Sequence, residues 1–567
     1  MRWKFKPEPN PKKVAVLAKA LQIDTTLAKL LVQRGVETFD QAKAFFRPDL
    51  QDLHDPFLMR DMDKAVKRIT SALQNNENIL VYGDYDVDGT TSVALVSSYL
   101  KQFHEHIATY IPDRDTEGYG ISYRGIDFAD DNDISLVIAL DCGIKAVEKI
   151  RYAREKNIDF IICDHHTPGD TLPDATAVLD PKRKDCLYPY KELSGCGVGF
   201  KLIQALHEQQ GHSVEELRPY LDLVTTSIAA DIVPITGENR ILAYHGLQVI
   251  NENPSIGIAA LKKTIDKEKL SITDVVFGIA PQINAAGRLL HADFALKVLT
   301  CSNAEEAEKH ALHIHTINEE RKDLDKKITS EALLQIHSEN NKNSYTNVVF
   351  QLDWHKGVIG IVASRIIETH YKPTLIFTQN EDVLVGSARS VRGFNLYEAL
   401  EACDDLIVQW GGHKYAAGLT LKPENYKAFK ERFEKVVKER LQPEQRLREL
   451  SVDSEIFLSE ISMKFYRIIQ QMAPFGPGNM HPVFAASGLR DNGMSRRVGA
   501  DKSHLKLHII EGANPKTYQG IGFGLGDLYP LIQTPFKAAF TLDINEWQGV
   551  QSLQLKIKDL QKDTGQQ

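Results

Sequence analysis

Three aspartates spaced two residues apart follow a short apolar run near the start of the chain. Residues 79–82 predict a buried strand, which breaks at Gly83 before Asp84, Asp86 and Asp88. Carboxylates this close repel one another, and a divalent cation between them relieves the repulsion and keeps them ionised. The spacing therefore predicts a metal site at the carboxyl end of a strand, where open α/β sheets place their ligands.

Two other interpretations fit alternating aspartates. A solvated acidic turn has the same composition and needs no ion. An EF-hand calcium loop matches the three aspartates and Gly89 at its first, third, fifth and sixth positions, but its twelfth position requires a bidentate Glu. That position is Leu95, so the calcium loop is excluded.

The elements around this motif alternate between strand and helix patterns, which predicts a mostly parallel sheet covered by helices. Two further predicted strands end in polar side chains, Asp141 after the first and Asp164-His165-His166 after the second. Because neighbouring carboxyl ends of a parallel sheet lie side by side, we expect these residues to converge with the first three aspartates. The predicted strands are 79–82, 107–111, 135–140, 160–163 and 176–179, and the predicted helices are 90–103, 144–156, 197–210 and 216–231.

The expected chemistry follows from the ligand types. Carboxylates with an imidazole suit Mg²⁺ or Mn²⁺, and the histidine favours Mn²⁺. Two such ions polarise a phosphate and activate a water molecule for in-line attack, so the pattern predicts phosphoester hydrolysis. Asp231, at the end of an apolar helix, would be an ordinary helix-terminal residue alone and is included because it fits this constellation.

Composition narrows the class of protein. The 567 residues are enough for three or four domains, and the net charge of -8 excludes a global basic field that would attract nucleic acid. The six cysteines form no CxxC pair, the N-terminal residues lack the apolar segment of a signal peptide, and no run approaches the ~18 apolar residues of a membrane span. We expect a cytoplasmic protein without a membrane partner.

Four motifs resemble those of the DHH phosphoesterase family: GDYDVDGTTS (83–92), LDCGI (140–144), CDHHTPGDTLP (163–173) and AADIVP (229–234). FGIAPQINAAGRL (277–289) and GGHKYAAGL (411–419) are similar to the RecJ branch of that family, single-strand-specific 5′ to 3′ DNA exonucleases, and the resemblance covers nearly the whole chain. It implies two ions, Mn²⁺ or Mg²⁺, a bridging role for Asp141, and Asp84 and His166 beside the ions as catalytic residues. The implied metal ligands are Asp86, Asp88, Asp141, His165 and Asp231. In place of the family's usual Asn after Asp141, this chain has Cys142, which cannot donate an amide hydrogen bond.

The resemblance also implies phosphate-binding residues in both halves of the chain. Residues 281–288 predict a Gly- and Ala-rich turn whose open backbone amides and single guanidinium suit a phosphate. The second half contains segments similar to the phosphate-binding motifs of the DHHA1 domain. The implied substrate-binding residues are Arg114, Asn284, Arg288, Ser387, Arg389, Gly412 and His413.

The predicted fold class is α/β, with two α/β lobes (DHH and DHHA1) joined by a long helix and followed by a C-terminal OB-fold β-barrel. Residues 303–340 contain no Pro or Gly, and a helix of that length spans ~50 Å. The expected regions are an N-terminal helical region (1–70), the DHH catalytic domain (71–302), the connecting helix (303–340), the DHHA1 domain (341–445) and the OB-fold nucleic-acid-binding domain (446–567).

The barrel is predicted from short strands with glycine-containing turns, at 483–489, 504–510, 517–523, 536–544 and 551–559. Basic residues and aromatic rings in this region are candidates for a platform that binds single strands by charge and stacking, the alternative for the rings being ordinary barrel core. These candidates are Arg496, Arg497, Lys502, Lys506, Phe523 and Trp547.

The resemblance implies a metal-dependent exonuclease that degrades single-stranded DNA from the 5′ end to mononucleotides in recombination and repair. Single-strand-binding protein and a helicase are the expected protein partners. One alternative is a DHH phosphoesterase of small substrates, such as a nanoRNase, a phosphoadenosine-phosphate phosphatase or a cyclic dinucleotide hydrolase, which resembles only the two α/β lobes. The other is a non-catalytic DNA-binding scaffold, whose relatives lose metal ligands that this chain retains.

Overall fold

The first lobe is built on a five-stranded parallel sheet. The computed structural model describes residues 1–338, 344–512 and 514–564. Ile79 and Val81 pack into the core on one face of the sheet, and Leu80 and Tyr82 into the core on the other, so the strands are continuous apolar runs. In spatial order the strands are Ile107–Tyr110, Asn78–Gly83, Ile134–Leu140, Asp159–Cys163 and Ala177–Leu179, which confirms the five predicted strands.

Helices cover both faces of this sheet and extend beyond it. They are Met62–Gln74, Val87–Leu100, Tyr123–Asp131, Val147–Glu155, Gly195–Gln209, Leu221–Ala230, Gly237–Glu252, Ile256–Lys263, Ala280–Leu289 and Asp293–Leu299.

Two local predictions for this lobe are wrong. The single helix predicted over 216–231 is a 3₁₀ helix, Val214–Tyr220, followed by an α-helix, because Pro219 cannot donate a helical backbone hydrogen bond. The turn predicted over 281–288 is the α-helix Ala280–Leu289. Pro281 occupies its first turn, where proline is tolerated, and the alanines favour the helix.

A 35-residue helix, Ala304–Ser338, joins the first lobe to a second α/β lobe. Ala307, Ala311 and Ile314 pack into the core of the first lobe, while Ile328 and Ala332 belong to a cluster in the second. Residues 339 and 340, predicted as the end of this helix, lie outside the described residues. The second sheet has the order Ile407–Gly412, Ala416–Leu421, Val383–Arg389, Thr374–Asn380, Asn347–Gln351, with helices Ile359–Thr369, Leu396–Glu401 and Tyr426–Arg440.

The C-terminal strands form a partly closed ring. Phe484–Asp491 pairs with both Phe536–Trp547 and His504–Glu511, which confirms the predicted barrel. The remaining elements are the strands Asn514–Gly522, Val550–Lys562, Arg496–Val498 and Ser454–Glu455 and the helix Met463–Gln471. Within the described ranges, no helix is both long and apolar enough to cross a membrane.

The N-terminal region packs on this barrel. Leu27, Leu30 and Leu31 share one core with Phe465 and Phe484, although more than 400 positions separate them. An N-terminal strand that the helical prediction missed, Arg2–Phe5, pairs with Glu449–Val452. The helices here are Pro11–Leu21, Thr25–Val32 and Phe39–Phe46.

Candidate metal and phosphate site

Asp88 is fixed by the N-terminus of a neighbouring helix. Its Oδ2 accepts a hydrogen bond from the Gly195 N–H at 2.7 Å, and its Oδ1 accepts from the Cys196 N–H and the Ser227 hydroxyl at 2.7 Å each. These two amides open helix Gly195–Gln209, whose dipole favours a negative charge at this end. Two backbone amides and a hydroxyl therefore hold this buried carboxylate in place.

Asp141 follows its strand in a conformation that few side chains adopt. Its φ is 58°, in the left-handed region, and its N–H donates to the Cys163 carbonyl at 2.8 Å. A Cβ on Gly195 would lie 2.6 Å from Asp141 Oδ1, so only glycine allows the helix to approach this carboxylate so closely.

Three carboxylate oxygens surround one imidazole nitrogen. His165 Nε2 lies 3.2 Å from Asp141 Oδ1, 3.6 Å from Asp231 Oδ2 and 3.7 Å from Asp88 Oδ2. Asp231 ends helix Leu221–Ala230, and the structure brings it to the strand edge that the sequence predicted. Four of the five predicted metal ligands therefore converge.

Asp86 and Asp84 lie beside this group. Asp86 caps helix Val87–Leu100 and accepts from the Gly89 N–H at 3.1 Å, while Asp84 is buried and accepts from the Gly120 N–H at 3.2 Å. Burial, followed by the charge of Asp88, raises the pKa of Asp86, and burial with the charge of Asp86 raises the pKa of Asp84.

His166 is oriented by a carboxylate and a phenol. Asp164 Oδ1 lies 2.7 Å from His166 Nδ1 and accepts the N–H groups of both histidines, while its Oδ2 accepts from Ile144. Burial alone would lower the pKa of His166, but the hydrogen bond and charge of Asp164 raise it. The Tyr119 hydroxyl lies 3.3 Å from the His166 ring nitrogens and donates to the Asp141 carbonyl at 3.1 Å. Asp164 thus holds the two histidines in place.

The donor set fits divalent cations. Asp141 Oδ1 and both ring nitrogens of His165 are buried without a hydrogen-bond partner among the described residues. Burial, then the charges of Asp88 and Asp86, raises the pKa of Asp141 well above its usual range and that of Asp231 to about 8. Hard cations that prefer oxygen ligands bind such free lone pairs and relieve the repulsion between neighbouring carboxylates.

Cys142, where DHH phosphoesterases usually have Asn, is buried among apolar side chains that include Ile121 and Ile144. Burial raises the pKa of its thiol well above the usual value. The side chain therefore contributes to packing beneath the site as a neutral thiol.

Guanidinium groups gather next to the aspartates. The Arg114 guanidinium lies 5.3 Å from the ring centroid of Tyr85, and a Cβ on Gly287 would lie 2.7 Å from the Tyr85 carbonyl, so the helix that carries Arg288 packs against the aspartate motif. Burial, together with Arg114 and other nearby arginines, lowers the pKa of Arg288 to about 10. Asn284 is half-buried one turn earlier on the same helix.

The second lobe contributes the opposite side of this group. Arg389 contacts the Ser387 hydroxyl at 3.2 Å, and burial followed by the charge of Arg114 lowers its pKa. Arg288 Nη1 donates across the lobes to the Gly357 carbonyl at 3.1 Å. In the part of the chain that the structure describes, Arg114, Arg288 and Arg389 have no ion pair with a carboxylate.

Gly412 and His413 lie one hairpin away from Arg389. Gly412 pairs with Ala417, which pairs with Ala388, and the His413 N–H closes the hairpin on the Ala416 carbonyl. The His413 side chain is exposed. No contact between these two residues and the arginines is recorded among the described residues, so their role in substrate binding stays a prediction.

The candidate strand platform on the barrel is partly described. Arg496 and Phe523 are exposed, Phe523 by 59%, so these two side chains lie at the surface rather than in the barrel core. Lys506, which pairs with Arg496 on the neighbouring strand, is half-buried. Arg497 and Lys502 are also exposed. The side chain of Trp547 lies outside the described residues.

Several residues at the site went unnoticed in the sequence. Ser227 and Gly195 hold Asp88, and Tyr119 contacts His166. Asp180 ends a fourth strand, is fully buried, and has an Oδ2 without a partner among the described residues. Asp180 could have been predicted because it is an acid directly after the predicted strand 176–179. No local sequence pattern indicates Ser227, Gly195 or Tyr119.

Family models match three segments of the chain. Residues 78–228 match the DHH family, N-terminal domain; residues 341–439 match the DHHA1 domain; and residues 452–559 match the RecJ OB domain. The last match separates this chain from DHH proteins that contain only the two α/β lobes.

Similar proteins and structures agree with these matches. The chain is 36% identical to the single-stranded-DNA-specific exonuclease RecJ of Bacillus subtilis, over 99% of this chain and 70% of that protein, and 33% identical to Escherichia coli RecJ, over 95% and 96%. The crystal structure of Thermus thermophilus RecJ in complex with Mn²⁺ superimposes with a TM-score of 0.86 at 28% identity, covering 100% of this chain and 80% of that one. The Mg²⁺ complex of the same protein gives 0.80 at 26% identity, covering 100% and 79%. The chain therefore belongs to the RecJ family.

Proposed function

We propose that the protein is a metal-dependent exonuclease that hydrolyses single-stranded DNA from the 5′ end and releases mononucleotides in recombination and repair. The observation that supports this proposal most strongly is that a cluster of carboxylates and a cluster of arginines, each without compensating charges among the described residues, lie next to one another. Within the described part of the chain, buried carboxylates and His165 have unpartnered atoms, and they lie next to guanidiniums that have no carboxylate partner. A phosphodiester with divalent cations satisfies both clusters at once. The relatives named above act on single-stranded DNA, as their names state.

Asp86, Asp88, Asp141, His165 and Asp231 are the residues proposed to hold two ions, Mn²⁺ or Mg²⁺. When bound, such ions polarise a phosphate and lower the pKa of a water molecule. Asp88 and Asp141 are held in position by the helix N-terminus and the left-handed backbone before any ion binds. We place Asp84 and His166 beside the reacting phosphate, where Asp164 fixes the orientation of the His166 ring.

Arg114, Arg288 and Arg389 are proposed to bind phosphates of the strand, with Ser387 and Asn284 beside them and Gly412 and His413 at the same sheet edge. Guanidiniums bind phosphate with two parallel hydrogen bonds, and their partial burial strengthens each contact. Because these arginines come from both lobes, a strand phosphate that they share lies between the lobes and next to the carboxylates.

The barrel is proposed to bind the part of the DNA strand that lies next to the segment in the active site. Arg496, Lys506 and Phe523 supply surface charge and a ring for base stacking. We also propose a cytoplasmic location and cooperation with single-strand-binding protein and a helicase, because a single-strand exonuclease needs duplex DNA to be opened and the strand to be presented.

The proposal is tested with one single strand labelled at its 5′ or its 3′ end, as DNA and as RNA, with Mn²⁺ or Mg²⁺. We expect the 5′ label to be released first, as a mononucleotide, from DNA and only with a divalent ion. Early release of the 3′ label would overturn the polarity. Cleavage restricted to dinucleotides would favour a phosphoesterase of small substrates, and an absence of cleavage with either ion would favour a scaffold.

A further inference from the structure

A second group of metal-ligating side chains lies at the C-terminal end of helix Gly195–Gln209. His207 is in its last turn, His212 follows in the loop, and Glu216 lies in the 3₁₀ helix Val214–Tyr220. Their ligand atoms all lie within 4.8 Å of one another. His207 Nε2 and His212 Nδ1 lie 3.7 Å and 3.5 Å from the same atom, Glu216 Oε2.

These separations suit a tetrahedral ion. With metal–ligand bonds of about 2.0 to 2.1 Å, the ligands of tetrahedral Zn²⁺ lie about 3.3 to 3.4 Å apart. The two distances from the imidazole nitrogens to Glu216 Oε2, 3.7 Å and 3.5 Å, are within a few tenths of an ångström of that separation. His212 and Glu216 are exposed, so an ion can enter from solvent and a water molecule can complete its coordination.

Two contacts orient the ligands. Glu216 Oε1 accepts from the Ser213 N–H at 3.1 Å in a capping box, which leaves Oε2 facing both imidazoles. The Tyr99 hydroxyl lies 3.3 Å from His207 Nδ1, which leaves Nε2 for a ligand. Histidines that bind metals are commonly held in this way through their other nitrogen.

His207 has an unused binding atom. The residue is 8% exposed, and its Nε2 is buried without a hydrogen-bond partner among the described residues. Its ring stacks on that of His212, with centroids 4.8 Å apart. Burial and the neighbouring His212 lower the pKa of His207, which favours the neutral ring that a metal ligand requires. His207 Nε2 is therefore a buried nitrogen near a carboxylate and a second imidazole, which is the arrangement expected of a metal ligand.

We propose that His207, His212 and Glu216 bind Zn²⁺ at a site separate from the catalytic cluster. Two imidazoles and one carboxylate favour Zn²⁺ over Mg²⁺ and Mn²⁺, which prefer sites richer in oxygen. His207 lies about 17 Å along its helix from Cys196 at 1.5 Å per residue, so the two sites do not share ligands.

The ion links the C-terminal end of helix Gly195–Gln209 to the 3₁₀ helix Val214–Tyr220, which directly precedes helix Leu221–Ala230. The first turn of helix Gly195–Gln209 holds Asp88, and helix Leu221–Ala230 ends at Asp231. The segment between these helices contains His212 and Glu216. Bound Zn²⁺ therefore stabilises the connection between them without touching the DNA.

Zn²⁺ binding is measured by titration calorimetry and thermal unfolding in full-length protein carrying Asp86→Ala and His165→Ala, which disable the catalytic cluster. We expect one equivalent of Zn²⁺ to bind and to raise the unfolding temperature, and MgCl₂ at the same concentration to do neither. Full-length protein carrying Asp141→Ala and His165→Ala provides a second background with the same expectation.

Glu216→Gln, added to either background, separates metal binding from a structural role. Its amide oxygen still accepts from the Ser213 N–H, so the cap remains while the carboxylate ligand is lost. We expect the Kd for Zn²⁺ to rise at least about tenfold in this variant and in His212→Ala, with loss of the Zn²⁺-dependent rise in unfolding temperature. His313→Ala, at an exposed histidine on helix Ala304–Ser338, is the matched control and should bind as its background does. The site is rejected if both backgrounds bind no Zn²⁺, or if Glu216→Gln and His212→Ala bind it as tightly as their background.

Discussion

The carboxylate cluster and the arginine cluster carry opposite charges, and among the described residues neither cluster contains the charges that would balance it. On the first lobe, burial and mutual repulsion raise the pKa of Asp141 and of Asp231. In the arginine cluster, which both lobes supply, burial and neighbouring arginines lower the pKa of Arg288, and burial lowers that of Arg389. Both clusters favour loss of their own charge, which is the opposite of what ordinary ion pairs do.

Two other buried basic side chains, by contrast, are paired with carboxylates. Arg183 lies 2.7 Å from Asp61, and Lys201 lies 3.2 Å from Glu238. An unpaired buried charge costs folding free energy, so its presence at two adjacent clusters indicates ligands that supply the missing partners. In the proposed function, divalent cations complete the carboxylate cluster and phosphates of the strand complete the arginine cluster.

The largest effect is expected when the carboxylate cluster loses its centre. Asp141→Ala should lower kcat about a thousandfold or more, because misplaced ions withdraw several kcal/mol of transition-state stabilisation. Single-strand binding, measured by fluorescence anisotropy, should survive because the arginines are untouched. Asp170→Ala, at an exposed aspartate in the loop after His166, is the control and should retain full activity. Residual turnover above about a tenth of the wild type would remove Asp141 from the centre of the site.

The arginine cluster should fail in a different way. Arg389→Ala should weaken binding of a 5′-phosphorylated strand about ten- to 150-fold, since charge-assisted hydrogen bonds contribute roughly 1.5 to 3 kcal/mol. A strand with a 5′ hydroxyl should lose much less. Arg392→Ala, at an exposed arginine three residues along the chain, serves as the control. Equal losses on both strands would argue against a pocket for the terminal phosphate.

Truncation tests whether the barrel contributes to strand binding but not to the chemistry of the two clusters. Deleting 447–567 alone should yield aggregating protein, because Leu27, Leu30 and Leu31 lose the core that they share with the barrel. Deleting 1–46 as well should leave a nuclease with unchanged kcat on a dinucleotide, a KM for long strands raised severalfold, and a salt dependence shallower by about 0.7 log units per lost phosphate contact. Poor cleavage of the dinucleotide would show that the deleted regions support the lobes themselves. The hydrogen bonds that Arg240 donates to the carbonyls of Phe45 and Met472 would then explain this support.

The smallest effect tests how His166 is positioned. Tyr119→Phe removes a hydroxyl that contacts His166 and the Asp141 carbonyl, and should lower kcat about two- to tenfold with KM unchanged, since a neutral hydrogen bond contributes roughly 0.5 to 1.5 kcal/mol. Tyr123→Phe, at an equally exposed tyrosine nearby, should change neither constant. Tyr119→Phe should have no further effect in a His166→Ala background, and additive losses would mean that the phenol acts independently of the histidine.

The edge of the parallel sheet was predictable from the sequence because each strand is a continuous apolar run that ends at a polar residue. Asp141 and His165 could therefore be assigned to one site from strand positions alone. The partners that fix them were not predictable, since Ser227 and Gly195 reach Asp88 from more than 100 positions away.

Two regions differ from the sequence predictions, and each difference has a physical reason. Residues 281–288 combine glycine with alanine, and they form a helix because Pro281 is tolerated in its first turn and the alanines favour the helix. The N-terminal helices looked like a separate region, yet their apolar faces are covered by barrel residues such as Phe465 and Phe484. Local pattern indicates that a face must be buried but does not identify what buries it.

The most direct test of the opposed clusters is the anomalous difference density of Mn²⁺ in crystals of the protein grown with that ion. We expect strong peaks among His165 Nε2 and the three carboxylate oxygens that lie 3.2 to 3.7 Å from it, Asp88 Oδ2, Asp141 Oδ1 and Asp231 Oδ2. The same crystals of Asp141→Ala should lose those peaks while the positions of Arg288 and Arg389 stay unchanged. Manganese bound elsewhere, with these four atoms free of density, would contradict the account.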